Sequence, residues 1–212
     1  MKLLIFGPTG GTGAQLLTQA LDAGHDVTVV ARNPDKLPVG DHSRPAVITG
    51  DVLEPKTWKA AVGAHDAVLS CLGSRDRKHP TTVYSQGMTN IIDAMRHAGV
   101  RRIVCLSSAG LDIPPETPLP QRLVTRLLVQ RLYRHGYTDM TVMERIVTAS
   151  DTDWTIIRPP MLTNGPLTGR YRTAGDQHLT KPKTLSRTDL AHYMLNHIED
   201  RDTWQKTVEI SS

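Results

Sequence analysis

Cysteine is scarce in this sequence: its 212 residues include only Cys71 and Cys105. Each lies within an apolar run, so both are predicted to be small buried residues in a reducing compartment, and a disulfide framework is excluded. Neither has a second Cys or His at ligand spacing, and none of the nine histidines forms a His-x-x-x-His pair beside an acid. We therefore expect no metal site.

Long apolar segments are missing as well. No run approaches the ~18 residues that a membrane-spanning helix needs. The apolar N-terminus, residues 1–6, is too short for a signal peptide. This pattern predicts a cytoplasmic protein without membrane association.

Charge of one sign is nowhere concentrated. The 25 basic residues are scattered among 21 acidic ones, and no block of five or more like charges occurs. This distribution argues against nucleic-acid binding. The net charge of +4 suits a polyanionic small ligand, whose local concentration a positive protein raises.

Short apolar runs alternate with helical patterns along the chain. Strands are predicted at residues 2–6, 26–31, 46–49, 66–72, 101–106, 153–158 and 206–210, and helices at 11–23, 56–62 and 81–98. This alternation predicts the α/β class, with a single Rossmann-like, doubly wound parallel sheet covered by helices on both faces. We expect one domain over residues 1–212.

A glycine-rich loop follows the first predicted strand and opens the first helix. Gly7, Gly10 and Gly13 have the spacing G-x-x-G-x-x-G. Such glycines permit a tight turn, a close approach of the backbone to a diphosphate, and close packing of the helix on the sheet. Because the unpaired N–H groups at a helix N-terminus attract phosphate, the loop predicts a dinucleotide site.

The end of the second strand indicates which dinucleotide. An acid there would bind the ribose 2′-hydroxyl of NAD, whereas the residue present is Arg32, whose guanidinium matches the 2′-phosphate of NADP. Lys36 adds a second positive charge or is simply solvated. The predicted cofactor is NADP(H).

Residues after the third and fourth strands are predicted to complete the cofactor site. Asp51 is placed either to accept a hydrogen bond from the adenine amine or to cap the following helix, and Val52 to cover the ring. Leu72, Gly73 and Arg75 follow the fourth strand, where the nicotinamide-side ribose should pass.

Nearly the whole chain resembles the atypical short-chain dehydrogenase/reductases, in the branch of NADPH-dependent flavin reductase, also called biliverdin-IXβ reductase. The motifs that carry the resemblance are IFGPTGGTG at 5–13, VTVVARNPDKLP at 27–38, GDVL at 50–53, LGSRDRKHPTTVYSQGMTNIIDAM at 72–95, RIVCLSSAG at 102–110, RPPMLTNGPLTGRYR at 158–172 and SRTDLAHYML at 186–195. The resemblance implies NADP(H) contacts at Gly7, Thr9, Gly10, Gly11, Thr12, Arg32, Asp51, Val52, Leu72, Gly73, Met161 and Leu162. The expected cofactor site also includes Gly13, Arg75, Ser107 and Pro159.

The same resemblance places Ser108 nearest the reacting acceptor, where its hydroxyl would bind a carbonyl or relay a proton. Alternatively, Ser107 and Ser108 only satisfy the backbone where the fifth strand ends. Residues 111–150 and 159–185 are expected to form a small substrate-side region. The implied partner is a small flavin, bilin or quinone-like acceptor, bound by a monomer or homodimer.

Two features depart from the wider superfamily. No tyrosine has a lysine four residues later, so the usual Tyr-x-x-x-Lys acid is missing, and Met161 stands where the flavin reductase branch often has a histidine. The sequence therefore predicts an NADPH-dependent reductase of a flavin, bilin or similar conjugated acceptor, whose reduced form is easily protonated. The alternative is a catalytically silent, NADP(H)-sensing regulator.

A basic amphipathic helix is predicted around residues 121–135. Four arginines alternate there with four leucines: Arg122, Arg126, Arg131 and Arg134, with Leu123, Leu127, Leu128 and Leu132. The expected arrangement is a surface helix with packed leucines and solvated arginines. The alternatives are contact with a membrane or acidic partner, or a lid over an anionic substrate.

Overall fold

The computed structural model describes residues 1–38, 44–74, 76–113, 119–124 and 130–212. The strands are β1 (Lys2–Phe6), β2 (Asp26–Ala31), β3 (Ala46–Thr49), β4 (Ala67–Ser70), β5 (Arg102–Leu106), β6 (Asp153–Arg158), β7 (Leu162–Thr163), β8 (Arg172–Gly175), β9 (Leu185–Ser186) and β10 (Lys206–Ser211). The helices are α1 (Gly11–Asp22), α2 (Ser85–Ala98), α3 (Leu119–Val124), α4 (Gln130–Leu132), α5 (Arg134–Thr148) and α6 (Arg187–Asn196).

Eight of the strands form one sheet in the order β3-β2-β1-β4-β5-β6-β10-β8, and β7 pairs with β9 in a small second sheet. Every neighbouring pair of the large sheet is parallel except β10 with β8, which is antiparallel. The predicted α/β class and doubly wound sheet are confirmed, with one reversed edge strand. A parallel sheet readily accepts such a strand at its edge, since no crossover helix is needed to place it.

The sheet separates two apolar layers because successive strand residues point to opposite faces. Leu3 and Ile5 of β1 lie on the face that α1 and α6 cover. Leu4 and Phe6 lie on the other face, against α2 and α5. Burial on both faces explains why the strands read as continuous apolar runs.

Some predicted elements differ from those observed. The predicted helix at 56–62 is instead two 3₁₀ segments, Pro55–Thr57 and Lys59–Ala64. They meet at Trp58, whose indole N–H donates to the main-chain oxygen of Asp51, 2.9 Å away, and anchors the turn to the end of β3. The predictions did not include β7, β8 and β9. β7 and β9 have two residues each, and β8 has the sequence RTAG with a single apolar side chain, so none of the three carries a periodic apolar signal.

The basic segment around 121–135 is only partly described, since residues 125–129 lie outside the described ranges. Leu123 and Leu132 are 58 % and 54 % exposed, so the expectation of packed leucines is wrong for these two side chains. Within the part of the chain that the structure describes, no helix combines the length and the apolar character needed to cross a membrane.

Candidate functional site

The glycine loop crosses the end of β4 at close range. Gly7 has a φ of +77°, a backbone conformation that residues other than glycine rarely adopt. A Cβ at this position would overlap the main-chain oxygen of Cys71. It would also lie 3.1 Å from the main-chain nitrogen of Leu72. Glycine at position 7 therefore lets the loop lie directly against Leu72, another predicted cofactor residue.

The same loop packs tightly onto the first turn of α1. A Cβ on Gly13 would overlap the main-chain oxygen of Gly7 and lie 3.1 Å from the Cα of Pro8. Gly10 is the N-cap and has no side chain to occupy the helix end, and no acidic residue stands in the first turn. The N-terminus of α1 thus presents uncapped N–H groups and an uncompensated helix dipole, both of which favour a phosphate.

The two threonines of the loop differ in exposure. Thr12 is a buried residue in the first turn of α1. Thr9 and Gly10 are half-buried, and Gly11 is exposed. A ligand at the helix end would therefore meet Thr9, Gly10 and Gly11 and the backbone of Thr12.

The strand register brings the other predicted residues to the same edge of the sheet. Phe6 of β1 pairs with Val30 of β2 on one side and Ser70 of β4 on the other. Leu106 of β5 pairs with Ile157 of β6. The segments that begin at Gly7, Arg32, Cys71, Ser107 and Pro159 therefore leave the carboxyl edge side by side, where open α/β sheets bind ligands.

Arg32 and Asp51 face each other at the β2–β3 end of this edge. A guanidinium nitrogen of Arg32 lies 3.8 Å from a carboxylate oxygen of Asp51, and the Arg32 side chain is 75 % exposed. The other Asp51 oxygen accepts a hydrogen bond from the main-chain N–H of Leu53 at 3.0 Å. Asp51 thus stabilises its own turn and caps no α-helix, while Arg32 has its guanidinium in solvent.

Val52 and Leu72 lie together under helix α2. A Cβ on Gly87 of α2 would be 3.0 Å from a Val52 methyl and 3.2 Å from a Leu72 methyl. The main-chain oxygen of Val52 accepts a hydrogen bond from the Asn90 amide at 2.9 Å. Val52 is mostly buried, Gly73 is exposed, and Arg75 lies outside the described residues.

The two serines after β5 differ in their surroundings. Ser107 is buried, and its hydroxyl has no hydrogen-bond partner among the described residues. Ser108 accepts a hydrogen bond from the main-chain N–H of Gly110 at 3.2 Å, as the backbone-satisfying alternative predicted. Buried hydroxyls rarely stay unpaired, so the Ser107 oxygen fits a site that a polar ligand completes.

Tyr137 of α5 has no lysine four residues later, yet its hydroxyl lies 3.4 Å from that of Ser108. The approach depends on Gly110, since a Cβ there would overlap the tyrosine hydroxyl. Thr141 occupies the position where a lysine would complete the usual motif, and its hydroxyl donates to the main-chain oxygen of Tyr137 at 2.9 Å. The sequence did not indicate Tyr137, because a catalytic tyrosine of this kind is recognised in sequence only together with the lysine four residues later.

Neighbouring contacts fix the position of Tyr137. Tyr133, one turn earlier, stacks on its ring with centroids 5.9 Å apart, and the guanidinium carbon of Arg77 lies 4.6 Å from the Tyr133 centroid. Helix α5 is tied to the end of β6 by a half-buried ion pair, in which Arg158 donates to Glu144 at 2.9 and 2.5 Å. This ion pair raises the pKa of Arg158.

The segment after β6 contributes mainly backbone groups. The main-chain oxygen of Pro159 accepts from Ala109 at 3.0 Å, which joins the segment to the loop that carries Ser108. Met161 points its side chain into solvent, with 73 % exposed. Leu162 begins β7 and pairs with Leu185 of β9, immediately before helix α6.

Asp189 of α6 fastens the following loop. Its buried carboxylate accepts hydrogen bonds from the main-chain N–H groups of Thr168 and Gly169, at 2.8 and 2.9 Å, and from the hydroxyls of Thr168 and Ser186. Burial tends to raise the pKa of this carboxyl, but the hydrogen bonds outweigh it and lower the pKa below its ordinary value. The motifs PLTG and SRTDLA are therefore joined through one side chain.

We expect the Asp189→Asn substitution to cost about 2 kcal/mol of unfolding free energy at pH 7, because an amide presents a donor to groups that themselves donate. Because the pKa of Asp189 is lower in the folded state, the ionised carboxylate stabilises the fold at pH values above the ordinary aspartate pKa of about 3.9. This stability is lost as the pH falls through the folded-state pKa. Urea unfolding at pH 7 and pH 3 should therefore show the difference from wild type shrinking in acid. Asp151→Asn, at an exposed position, is the matched control, and a difference independent of pH would contradict the prediction.

The two cysteines are buried and unpaired, as predicted. Burial raises the pKa of Cys71 to about 12 and raises that of Cys105 as well, so neither thiol is ionised at neutral pH. The described residues contain no cluster of His, Cys, Asp or Glu that could hold a metal ion.

Comparisons with known proteins agree with this geometry. A model of the NAD(P)H-binding family matches residues 7–201. The chain belongs to this family. It is thus an NAD(P)H-binding protein of an oxidoreductase-like family, which confirms the dinucleotide cofactor predicted from the glycine loop.

An uncharacterised chloroplastic protein of Arabidopsis thaliana is 27 % identical over 99 % of this chain and 76 % of its own length. Several other curated relatives are matched over only about a third of their length. Among solved structures, a short-chain dehydrogenase/reductase of Veillonella parvula in complex with NADP is 19 % identical, with a TM-score of 0.83 over 100 % of this chain and 94 % of that one. A Streptococcus pneumoniae protein named as a candidate NADH-flavin reductase is 17 % identical, with a TM-score of 0.77 over 100 % of this chain and 99 % of that one. At these identities the structures establish the shared fold.

Arg32 is the residue through which we expect the chain to select NADP(H). Replacing Arg32 by alanine should weaken NADPH binding about 10- to 100-fold and leave NADH binding unchanged, because a charge-assisted hydrogen bond contributes about 1.5–3 kcal/mol. Titration of protein-bound NAD(P)H fluorescence measures both affinities. Lys36→Ala is the control for a solvated charge, and wild-type protein that binds NADH at least as tightly as NADPH would contradict the prediction.

Proposed function

We propose that this protein is an NADPH-dependent reductase of a conjugated small-molecule acceptor, such as a flavin, a bilin or a quinone-like compound. The observation that carries the proposal is the pair of hydroxyls, Ser108 and Tyr137, 3.4 Å apart at the carboxyl end of β5. β4 and β6 lie on either side of β5, and the segments that follow them carry Leu72, Gly73 and Met161, which are proposed to bind the cofactor. The hydroxyl pair therefore stands beside the proposed nicotinamide site.

The proposed cofactor residues divide by the part of the dinucleotide that each would hold. The N-terminus of α1, with Gly10, Gly11 and Thr12, suits the diphosphate, and Arg32 suits the 2′-phosphate. Val52 and Leu72 offer apolar surface. The Ser107 hydroxyl, which has no hydrogen-bond partner among the described residues, suits the polar nicotinamide end.

When bound, the reduced nicotinamide supplies a hydride, and the chain's own groups manage the accompanying proton. In the present arrangement the Ser108 hydroxyl donates to the Tyr137 hydroxyl. Either hydroxyl can instead donate to a ligand, so the pair would bind an acceptor oxygen or nitrogen between them. A hydroxyl held there stabilises the charge that develops on that atom and passes its proton to it. Catalytic hydrogen bonds commonly shorten when the reactants bind, so the present separation is compatible with this role.

The class of acceptor follows from what accompanies Tyr137. Helix α5 contains no lysine, and the Thr141 hydroxyl already donates a hydrogen bond to the main-chain oxygen of Tyr137. A simple ketone needs a strong, well-placed acid, whereas conjugated acceptors form delocalised products that are protonated easily. The stacked rings of Tyr133 and Tyr137 offer a flat aromatic surface, and Arg77 beside them suits an acceptor that carries a carboxylate or phosphate.

The proposal is tested by following NADPH oxidation with FMN, riboflavin, biliverdin and a quinone panel. Saturable turnover with at least one acceptor, faster with NADPH than with NADH, is expected. Tight NADPH binding without turnover of any acceptor would overturn the proposal and favour the NADP(H)-sensing alternative. That alternative would then be tested by a pull-down of partner proteins with this chain as bait, carried out once with NADP⁺ and once with NADPH. A sensor should bind its partner differently in the two cases.

A further inference from the structure

Arg187, the first residue of α6, lies against the exposed Gly11 of the glycine loop. A Cβ built on Gly11 would be 2.6 Å from the Cδ of Arg187 and 2.7 Å from its Nε. The arginine therefore occupies the space that a side chain at position 11 would need. The absence of a side chain at Gly11 therefore leaves room for the Arg187 side chain beside the glycine loop.

Among the described residues, the Arg187 guanidinium is hydrogen-bonded through one of its nitrogens, Nη1. Its Nη1 donates to the Asn164 side-chain oxygen at 2.7 Å and to the main-chain oxygen of Leu162 at 3.5 Å. Helix α6 itself is docked on α1, where the Gln19 amide donates to the main-chain oxygen of Thr188 at 3.0 Å. The N–H groups on Nε and Nη2 have no acceptor among the described residues, so donors remain for a ligand.

Positive charge is concentrated where Arg187 lies beside the N-terminus of α1. Arg187 is half-buried, and no carboxylate among the described residues forms an ion pair with it. Asp189, two residues later, already accepts hydrogen bonds from Thr168, Gly169 and Ser186. A guanidinium thus stands beside the positive end of α1, and two such features side by side are unfavourable unless an anion joins them.

We propose that Arg187 is a cofactor-binding residue whose guanidinium contacts the diphosphate of the dinucleotide. It acts together with the N-terminal amides of α1. The diphosphate is common to NADP and NAD, so Arg187 contributes affinity without selectivity, whereas Arg32 supplies selectivity. The inference rests on the NAD(P)H binding of the family and does not depend on the proposed reduction.

The test measures the affinities of NADP⁺, NAD⁺ and 2′-AMP for wild type and for Arg187→Ala by isothermal titration calorimetry. Loss of a charge-assisted contact should weaken NADP⁺ and NAD⁺ by the same factor, about 10- to 100-fold. Binding of 2′-AMP, which lacks the diphosphate, should be unchanged. Arg187→Lys keeps the point charge and should recover part of the affinity, and raising the salt concentration should weaken NADP⁺ binding less in Arg187→Ala than in wild type.

Two controls separate binding from folding. Arg145→Ala removes an exposed arginine of α5 and should leave all three affinities unchanged. The melting temperature of ligand-free Arg187→Ala reports any loss of stability. Unchanged NADP⁺ affinity, a loss confined to NADP⁺, or an equal loss for 2′-AMP would each overturn the proposal. Failure of the acceptor panel would leave these affinities intact, so the two proposals fail separately.

Discussion

Replacing Tyr137 by phenylalanine is expected to lower turnover of the preferred acceptor about 100-fold, because a positioned general acid typically contributes a factor of about 10²–10⁴. NADPH affinity should stay within about twofold, since the tyrosine lies on the acceptor side of the proposed site. Steady-state rates together with cofactor titration separate the two effects. The expected signature is therefore a fall in kcat at constant cofactor affinity.

The neighbouring tyrosine provides the matched control. Tyr133→Phe retains the stacked ring one helical turn away and removes a hydroxyl that does not contact Ser108, so it should leave kcat almost unchanged. Ser108→Ala should lower kcat by a similar factor to Tyr137→Phe, and the double variant should be little worse than either single one, because the two hydroxyls act on one atom. Full turnover by Tyr137→Phe would refute the role of the pair.

A single methyl group on Gly13 is expected to destabilise the protein by about 3 kcal/mol, the upper end of the usual cost of overpacking. The clash is with the main-chain oxygen of Gly7 and the backbone of Pro8, and neither can move aside as the end of a flexible side chain could. Urea unfolding of Gly13→Ala measures the loss. Cofactor binding should fall with it, because the glycine loop must shift away from the helix.

Gly73→Ala is the control for this substitution. A Cβ at Gly73 would meet no atom of the described residues within 4 Å, so the unfolding free energy of Gly73→Ala should stay within about 0.5 kcal/mol of wild type. Both glycines belong to the predicted cofactor site, yet only Gly13 is required by the fold. A Gly13→Ala variant as stable as Gly73→Ala would show that the loop tolerates rearrangement.

The parts of the site that were predicted from sequence share one property: each follows locally from a strand or a turn. The strands β1, β2 and β6 have the predicted bounds, because mostly buried parallel strands read as unbroken apolar runs. The edge strand β3 also has the predicted bounds, although it is largely exposed. Gly7 and Gly13 were predicted from their spacing, and the structure supplies the backbone contacts that require them. The prediction of a helix at 56–62 was wrong because a short apolar stretch does not distinguish an α-helix from 3₁₀ turns.

The residues that were missed depend on distant contacts. Tyr137 reaches Ser108 across 29 positions of sequence, through helix packing and the space left by Gly110. Arg187 reaches Gly11 only because α6 docks on α1, which brings opposite ends of the chain together. No local pattern encodes either approach.

The sequence by itself thus determined the fold class, the glycine loop and the family's cofactor, because backbone propensity, apolar periodicity and glycine spacing act over a few neighbouring residues. Only the tertiary structure decided which side chains meet at the sheet edge. It paired the hydroxyls of Ser108 and Tyr137, and it left the Ser107 hydroxyl without a hydrogen-bond partner among the described residues. It also set the Arg187 guanidinium beside the helix that is proposed to bind the diphosphate. The physical reason is that such meetings depend on how helices dock across the sheet, and docking is fixed by the packing of the whole core.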